Sequence, residues 1–103
     1  MRILVDYHDR QVRLTDERLR HILGHAEMAD LESQLEETVL RPESVVQSSS
    51  DETASLFYRH YAATSVGSKW LCVVVKYQGD DAFVLTAYLT DKPKKGILQW
   101  PST

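Results

Sequence analysis

Trp70-Leu71-Cys72-Val73-Val74-Val75-Lys76-Tyr77, followed by Gln78-Gly79-Asp80-Asp81 and then Ala82-Phe83-Val84-Leu85-Thr86-Ala87-Tyr88-Leu89, is the stretch that decides the fold. The first run is rich in β-branched residues and long enough for a central strand. Gly79 supplies the positive φ that a tight turn needs. The second run returns antiparallel to the first. Upstream, Leu56-Phe57-Tyr58-Arg59-His60-Tyr61 reads as a further strand, and Val45-Val46 starts another. Downstream, Asp91-Lys92-Pro93-Lys94-Lys95-Gly96 reads as a basic loop, and Ile97 to Thr103 as a loosely held end.

The first half is helical after a short extended start. Ile3-Leu4-Val5 and Val12-Arg13-Leu14 are two short strands around the polar turn Asp6–Arg10. Thr15 and Asp16 offer oxygens to the free amides of a first helical turn. Leu19, Ile22 and Leu23 then share one helix face, and Gly24 lies near the end of that helix. A second helix is predicted from about Glu27 to Leu40, with Leu31, Leu35 and Val39 inward and Glu27, Glu32, Glu36 and Glu37 outward. Arg41-Pro42 stops it, because a residue before proline avoids the α region. Helices first and strands after is the order of an α+β fold, not a parallel α/β one. Helices on one face leave the other open to a ligand.

The chain has 103 residues, 43% of them hydrophobic and 26% charged. That is one domain, residues 1–103, with a core that needs no staple. The lone Cys72 excludes an internal disulfide framework. Apolar runs are too short for a helical membrane span. Met1-Arg2-Ile3-Leu4-Val5-Asp6 lacks the long apolar run of a secretory signal. A reduced, cytoplasmic setting without a membrane partner is the expectation. The net charge of −3 argues against nucleic acid when taken whole. Residues 1–57 hold 6 Lys/Arg against 12 Asp/Glu, however, while residues 58–103 hold 6 against 3. That asymmetry hints at one surface suited to a polyanion.

His21 and His25 lie four apart, at the spacing of one helix face. The pair suits acid–base chemistry near neutral pH, half of a zinc site, or phosphate binding helped by Arg18 and Arg20. The plain alternative is two exposed histidines at a helix end. No further Cys or His completes a metal shell, so neither metal nor cofactor is expected. Strand alternation puts Tyr58 and His60 on one face and Arg59 and Tyr61 on the other. A guanidinium there fits phosphate oxygens, and an aromatic neighbour stacks a base. Aromatic cross-strand pairing explains the same residues without a ligand. Alternation also groups Phe83, Leu85 and Ala87 against Thr86 and Tyr88, the latter pair on the wet face beside Lys76. Cys72, inside an apolar strand, reads as a buried, inert thiol.

Leu19-Arg20-His21-Ile22-Leu23-Gly24-His25-Ala26-Glu27-Met28, then Thr38, Leu40, Pro42 and Val45, then Tyr58-Arg59, then Trp70–Lys76, and then Thr86-Ala87-Tyr88 together resemble a group of small bacterial and phage domains. That group belongs to the barnase/EndoU/colicin/RelE-like nuclease superfamily, with its BrnT- and RelE-type toxins. The resemblance covers residues 18 to 95. It implies N-terminal helices packed on a four-stranded antiparallel sheet. It also implies a metal-independent endoribonuclease, the toxin of a toxin–antitoxin pair, with RNA and an antitoxin protein as partners. In such enzymes the 2′-hydroxyl attacks its own phosphate and leaves a 2′,3′-cyclic phosphate. The implied roles are His21 and His25 as base and acid, and Arg59 as phosphate clamp. Thr86 and Tyr88 match as donors or substrate positioners and Lys76 as a charge stabiliser, while Arg18 and Tyr58 are candidate substrate-binding residues by their side-chain chemistry alone. The family's H-P-E reads His25-Ala26-Glu27 here, without the proline that shapes the helix junction. The alternative is a non-catalytic RNA- or protein-binding module.

Overall fold

A computed structural model describes residues 1–101. In chain order it contains β1 (Arg2–Val5), β2 (Gln11–Leu14), α1 (Asp16–Leu23), a 3₁₀ turn (Ala26–Met28), α2 (Glu32–Leu40), β3 (Ser44–Gln47), β4 (Ala54–Thr64), β5 (Gly67–Gln78), β6 (Asp81–Thr90) and β7 (Ile97–Trp100). The strands make one seven-stranded sheet in the order β1-β2-β6-β5-β4-β3-β7.

The α+β class holds, but the expected four-stranded, RelE/barnase-like sheet does not. β3 to β6 form the antiparallel meander read from the sequence. Three further strands extend it. The β1–β2 hairpin joins beside β6, where β2 runs parallel at Arg13↔Phe83. Beyond β3, Ile97–Trp100 of the segment expected to be loose forms β7, with Leu98 opposite Val46 and Trp100 opposite Val45, while Ser102 and Thr103 lie outside the described residues. The sheet is therefore mixed. The physical reason is edge satisfaction: open edges of β6 and β3 present unpaired backbone groups, and short terminal strands cover them.

Thr15 caps α1, its Oγ accepting from the Arg18 amide at 3.1 Å. The second helix starts later than expected. His25 is extended (φ −77°, ψ 128°), so Ala26–Met28 makes only a 3₁₀ turn before α2. Both helices pack on one sheet face. There Ile22, Met28, Leu31, Leu35 and Val39 meet Val12, Leu14, Phe57, Leu71, Val73, Val75, Val84 and Ala87 in one core. Burial of such side chains contributes about 1.5–3 kcal/mol each. Arg2 ties β1 to α2 through ion pairs with Glu32 and Glu36.

The opposite face carries a smaller cluster of Val46, Ala54, Leu56, Tyr58, Cys72 and Val74. The alternation expected along β6 breaks here. Val74 pairs with Thr86 and Val75 with Val84, so Leu85 is an extra residue. This bulge sends Leu85 to the second face with Tyr88, while Val84 and Ala87 stay in the main core. The chain from β6 to β7 crosses this second face as a strap, residues 91–96. The Lys94 amide donates to the Tyr58 hydroxyl at 3.0 Å. A Cβ on Gly96 would lie 2.6 Å from Val46 Cγ1 and 2.7 Å from the Gln47 carbonyl, so only glycine fits that crossing. No helix among the described residues is long and apolar enough to cross a membrane.

Candidate nucleic-acid interface

Beside the strap, the second sheet face stays open as a groove of about 360 Å³. Its floor is Leu56, Val74 and Leu85, and Tyr88, Lys94 and Lys95 flank it on the strap side. The opposite wall is the β3–β4 turn, residues Ser48–Asp51. Strand register builds the adjoining surface. Tyr58, Cys72 and Tyr88 stand directly opposite one another on three neighbouring strands. Thr86 pairs with Val74, and Lys76 pairs with both Ala54 and Phe83, so both belong to the same face.

The electrostatics follow from burial and lysine placement. Burial pushes the Tyr58 phenol up to about 12 and raises the Tyr88 phenol further, the Cys72 thiol beside it adding to the effect. The Cys72 thiol is itself raised by burial, which fits the inert role read from sequence. All three stay neutral near pH 7. The Lys94 ammonium sits 5.9 Å from the Tyr88 ring centroid, a cation–π distance. Lys76 pairs with Asp51 at 3.0 Å. Hydrogen bonds from Thr53, then Lys76, hold the Asp51 carboxyl down at about 2. Lys94 and Lys95 are exposed with no carboxylate partner among the described residues. Farther along, the Trp70 ring meets His60 edge to face at 5.2 Å.

The residues predicted from sequence divide into three places. Tyr58, Lys76, Thr86 and Tyr88 lie on the second sheet face, where Tyr88 lines the groove and Tyr58 is buried under the strap. Arg59 faces the other way. Its Nη1 donates to the Arg41 carbonyl at 2.6 Å, and its Nε lies 3.5 Å from Glu37 Oε1 at the end of α2. Its guanidinium secures the helix to the sheet and is turned away from the groove. Arg18, His21 and His25 belong to α1 and its exit, exposed, on the helix side of the molecule. The His21 and His25 rings lie 5.5 Å apart, edge to face, although the helix ends between them. Among the described residues, no group of three or more His, Cys, Asp or Glu side chains is arranged to hold a metal ion. The missed members are Leu85, Lys94 and Lys95. The lysines were legible as a basic loop, but nothing in the sequence says that this loop lies across the sheet.

No family model, curated protein or solved structure matches the chain.

Proposed function

We propose that the chain is an RNA-binding module that takes a single strand along the open sheet face. The observation that supports this reading is the groove itself: an apolar floor, a half-buried tyrosine and two unpaired lysines on one rim. Single-stranded nucleic acid is held by that combination, aromatics stacking bases while lysines track phosphates. Tyr88 is the stacking residue, and Lys94 and Lys95 are the phosphate contacts. Lys76 joins them once phosphate displaces Asp51. Cleavage needs a base, an acid and a cationic clamp around one phosphate. Here the histidines and Arg59 stand away from the groove, so binding is the better-supported function.

Fluorescence anisotropy with a short unstructured RNA tests it. Binding is expected to weaken with salt, with a log–log slope of about −2 for three phosphate contacts, at roughly −0.7 each. Lys94→Glu with Lys95→Glu should abolish binding in moderate salt. No binding at low salt, or binding indifferent to the double reversal, sinks the reading.

One observation favours a second reading, metal-independent cleavage. Two exposed imidazoles 5.5 Å apart, with Arg18 on the same short helix, could flank a single phosphodiester. Incubated RNA would then carry 2′,3′-cyclic phosphate ends, His21→Ala would prevent them, and expression would arrest growth in the absence of an antitoxin partner. Intact RNA with wild-type protein across pH 5 to 9, roughly the span over which imidazoles change charge, removes this reading and leaves the binding module.

A further inference from the structure

The polar turn Asp6–Arg10 borders a cavity of about 630 Å³ that has no part in the groove. That volume lies within the range of roughly 300–1,000 Å³ usual for small-ligand sites. It is on the helix-bearing side of the sheet, since Ser55 pairs with Val75 and Gln47. Its frame is rigid. Asp6 is 3% exposed and accepts from the His8 amide at 2.8 Å, the Arg10 amide at 2.9 Å and the Tyr77 hydroxyl at 2.7 Å. Asp6 is thereby fully engaged and holds the turn.

The groups left for a ligand are planar or amide-bearing, with the exposed Glu52 carboxylate beside them. The Arg10 guanidinium lies over the Tyr77 ring at 5.0 Å, and the His8 ring stacks tilted on Tyr7 at 4.0 Å. Ser55 Oγ donates to Gln99 Oε1 at 2.7 Å, which leaves the Gln99 amide hydrogens for a ligand. The Gln47 carboxamide bonds to none of the described residues and lines the same cavity. A carboxamide presents a donor and an acceptor side by side, the pattern that reads a nucleobase edge. Guanidinium and imidazole planes are surfaces on which an unstacked base lies.

The cavity and the groove lie on either side of the β3–β4 turn. Gln47 and Glu52 line a cleft of about 420 Å³ at the β3–β4 turn, and that cleft shares Ser48–Asp51 with the groove. A strand lying in the groove would have to pass round this turn to place a base in the cavity. We propose that the cavity takes one unpaired ribonucleotide base, read by Gln47 and Gln99, either from an RNA strand or from a free nucleotide. Only the RNA source rests on the function proposed above.

The test is titration of the full chain with each of the four ribonucleoside 5′-monophosphates, followed by side-chain amide shifts in NMR. At least one should bind saturably and shift the Gln47 and Gln99 amides. Gln47→Leu should weaken it about tenfold, the scale of one bidentate base contact. Because this carboxamide has no partner among the described residues, the melting temperature should hardly move. Lys94→Glu with Lys95→Glu should leave mononucleotide binding unchanged. The proposal is overturned if none of the four binds saturably at millimolar concentration, or if Gln47→Leu has no effect. Mononucleotide binding without RNA binding would sink the groove reading and uphold the cavity. The reverse result would do the opposite. Displacement of the mononucleotide by an oligonucleotide assigns the base to RNA, and failure to displace assigns it to a free nucleotide. Both uphold the site.

Discussion

Tyr58 and Arg59 are adjacent in β4, and strand alternation sends the first to the second sheet face, buried under the strap, and the second to α2. Each was readable as a ligand from sequence, because an aromatic–arginine pair in a strand suits phosphate and base. The partners that decide between them are far away in sequence: Glu37 and the Arg41 carbonyl for Arg59, and the Lys94 amide for Tyr58. Arg59→Ala should cost about 1–3 kcal/mol, as for hydrogen bonds from a charged group, seen as a lower denaturation midpoint. RNA affinity of the folded variant should stay near wild type. A loss matching that of the lysine reversals would return Arg59 to the interface. Cys72 is 0% exposed between its two tyrosines. An aromatic disulfide reagent should label it only as fast as the protein unfolds, and rapid labelling under native conditions would contradict that burial.

The elements divide by how local their causes are. α1 was legible because Thr15 and the Leu19–Ile22–Leu23 spacing lie within one short window. β5 and β6 were legible because a long β-branched run and a glycine turn leave few alternatives. β7 was not, since four residues with Ile97 and Leu98 exposed carry no alternation, and only pairing with β3 makes them a strand. The Leu85 bulge was equally hidden, because an inserted residue looks like an ordinary member of the run. Of the candidate site, four predicted residues lie on the second sheet face but only Tyr88 lines the groove, while the strap and the turn that complete it depend on topology. Two substitutions probe the elements. Thr15→Ala should cost about 1 kcal/mol through loss of the α1 cap. Gly96→Ala should cost about 1–3 kcal/mol, the usual scale of overpacking, because one of its close neighbours is rigid backbone. Thermal melts check both, and an unchanged Gly96→Ala midpoint would show that the strap is not seated on β3.

At the scale of the whole molecule, the net charge of −3 conceals a polarity. Glu32 and Glu36 lie on the helix side, where they pair with Arg2, while Lys94 and Lys95 flank the groove on the other. A polyanion meets the local field, not the sum. The tyrosines give the fold a second collective property. All five are raised above 10 by burial first, Tyr58 and Tyr61 to about 12. A phenol raised on folding contributes stability that is present below its unfolded value and lost as pH rises through the folded one. Stability should therefore hold to about pH 10 and fall between 10 and 12. Phenolate absorbance and loss of far-ultraviolet circular dichroism should rise together. A phenolate step near 10 in protein that stays folded would contradict the burial of these rings.

The single parallel contact among the described strands, β2 with β6 at Arg13↔Phe83, has a consequence in time. The β1–β2 hairpin precedes β6 by about sixty-five residues, roughly the length of loop its docking must close, and its place in the sheet does not exist until β6 is in position. Until then its apolar side chains Leu4, Val12 and Leu14, all buried in the finished protein, lack the rest of the sheet that covers them. Closing so long a loop is entropically late and slow. The hairpin therefore docks late in folding, after β6 is in place, and is the region most exposed to misassociation before that moment.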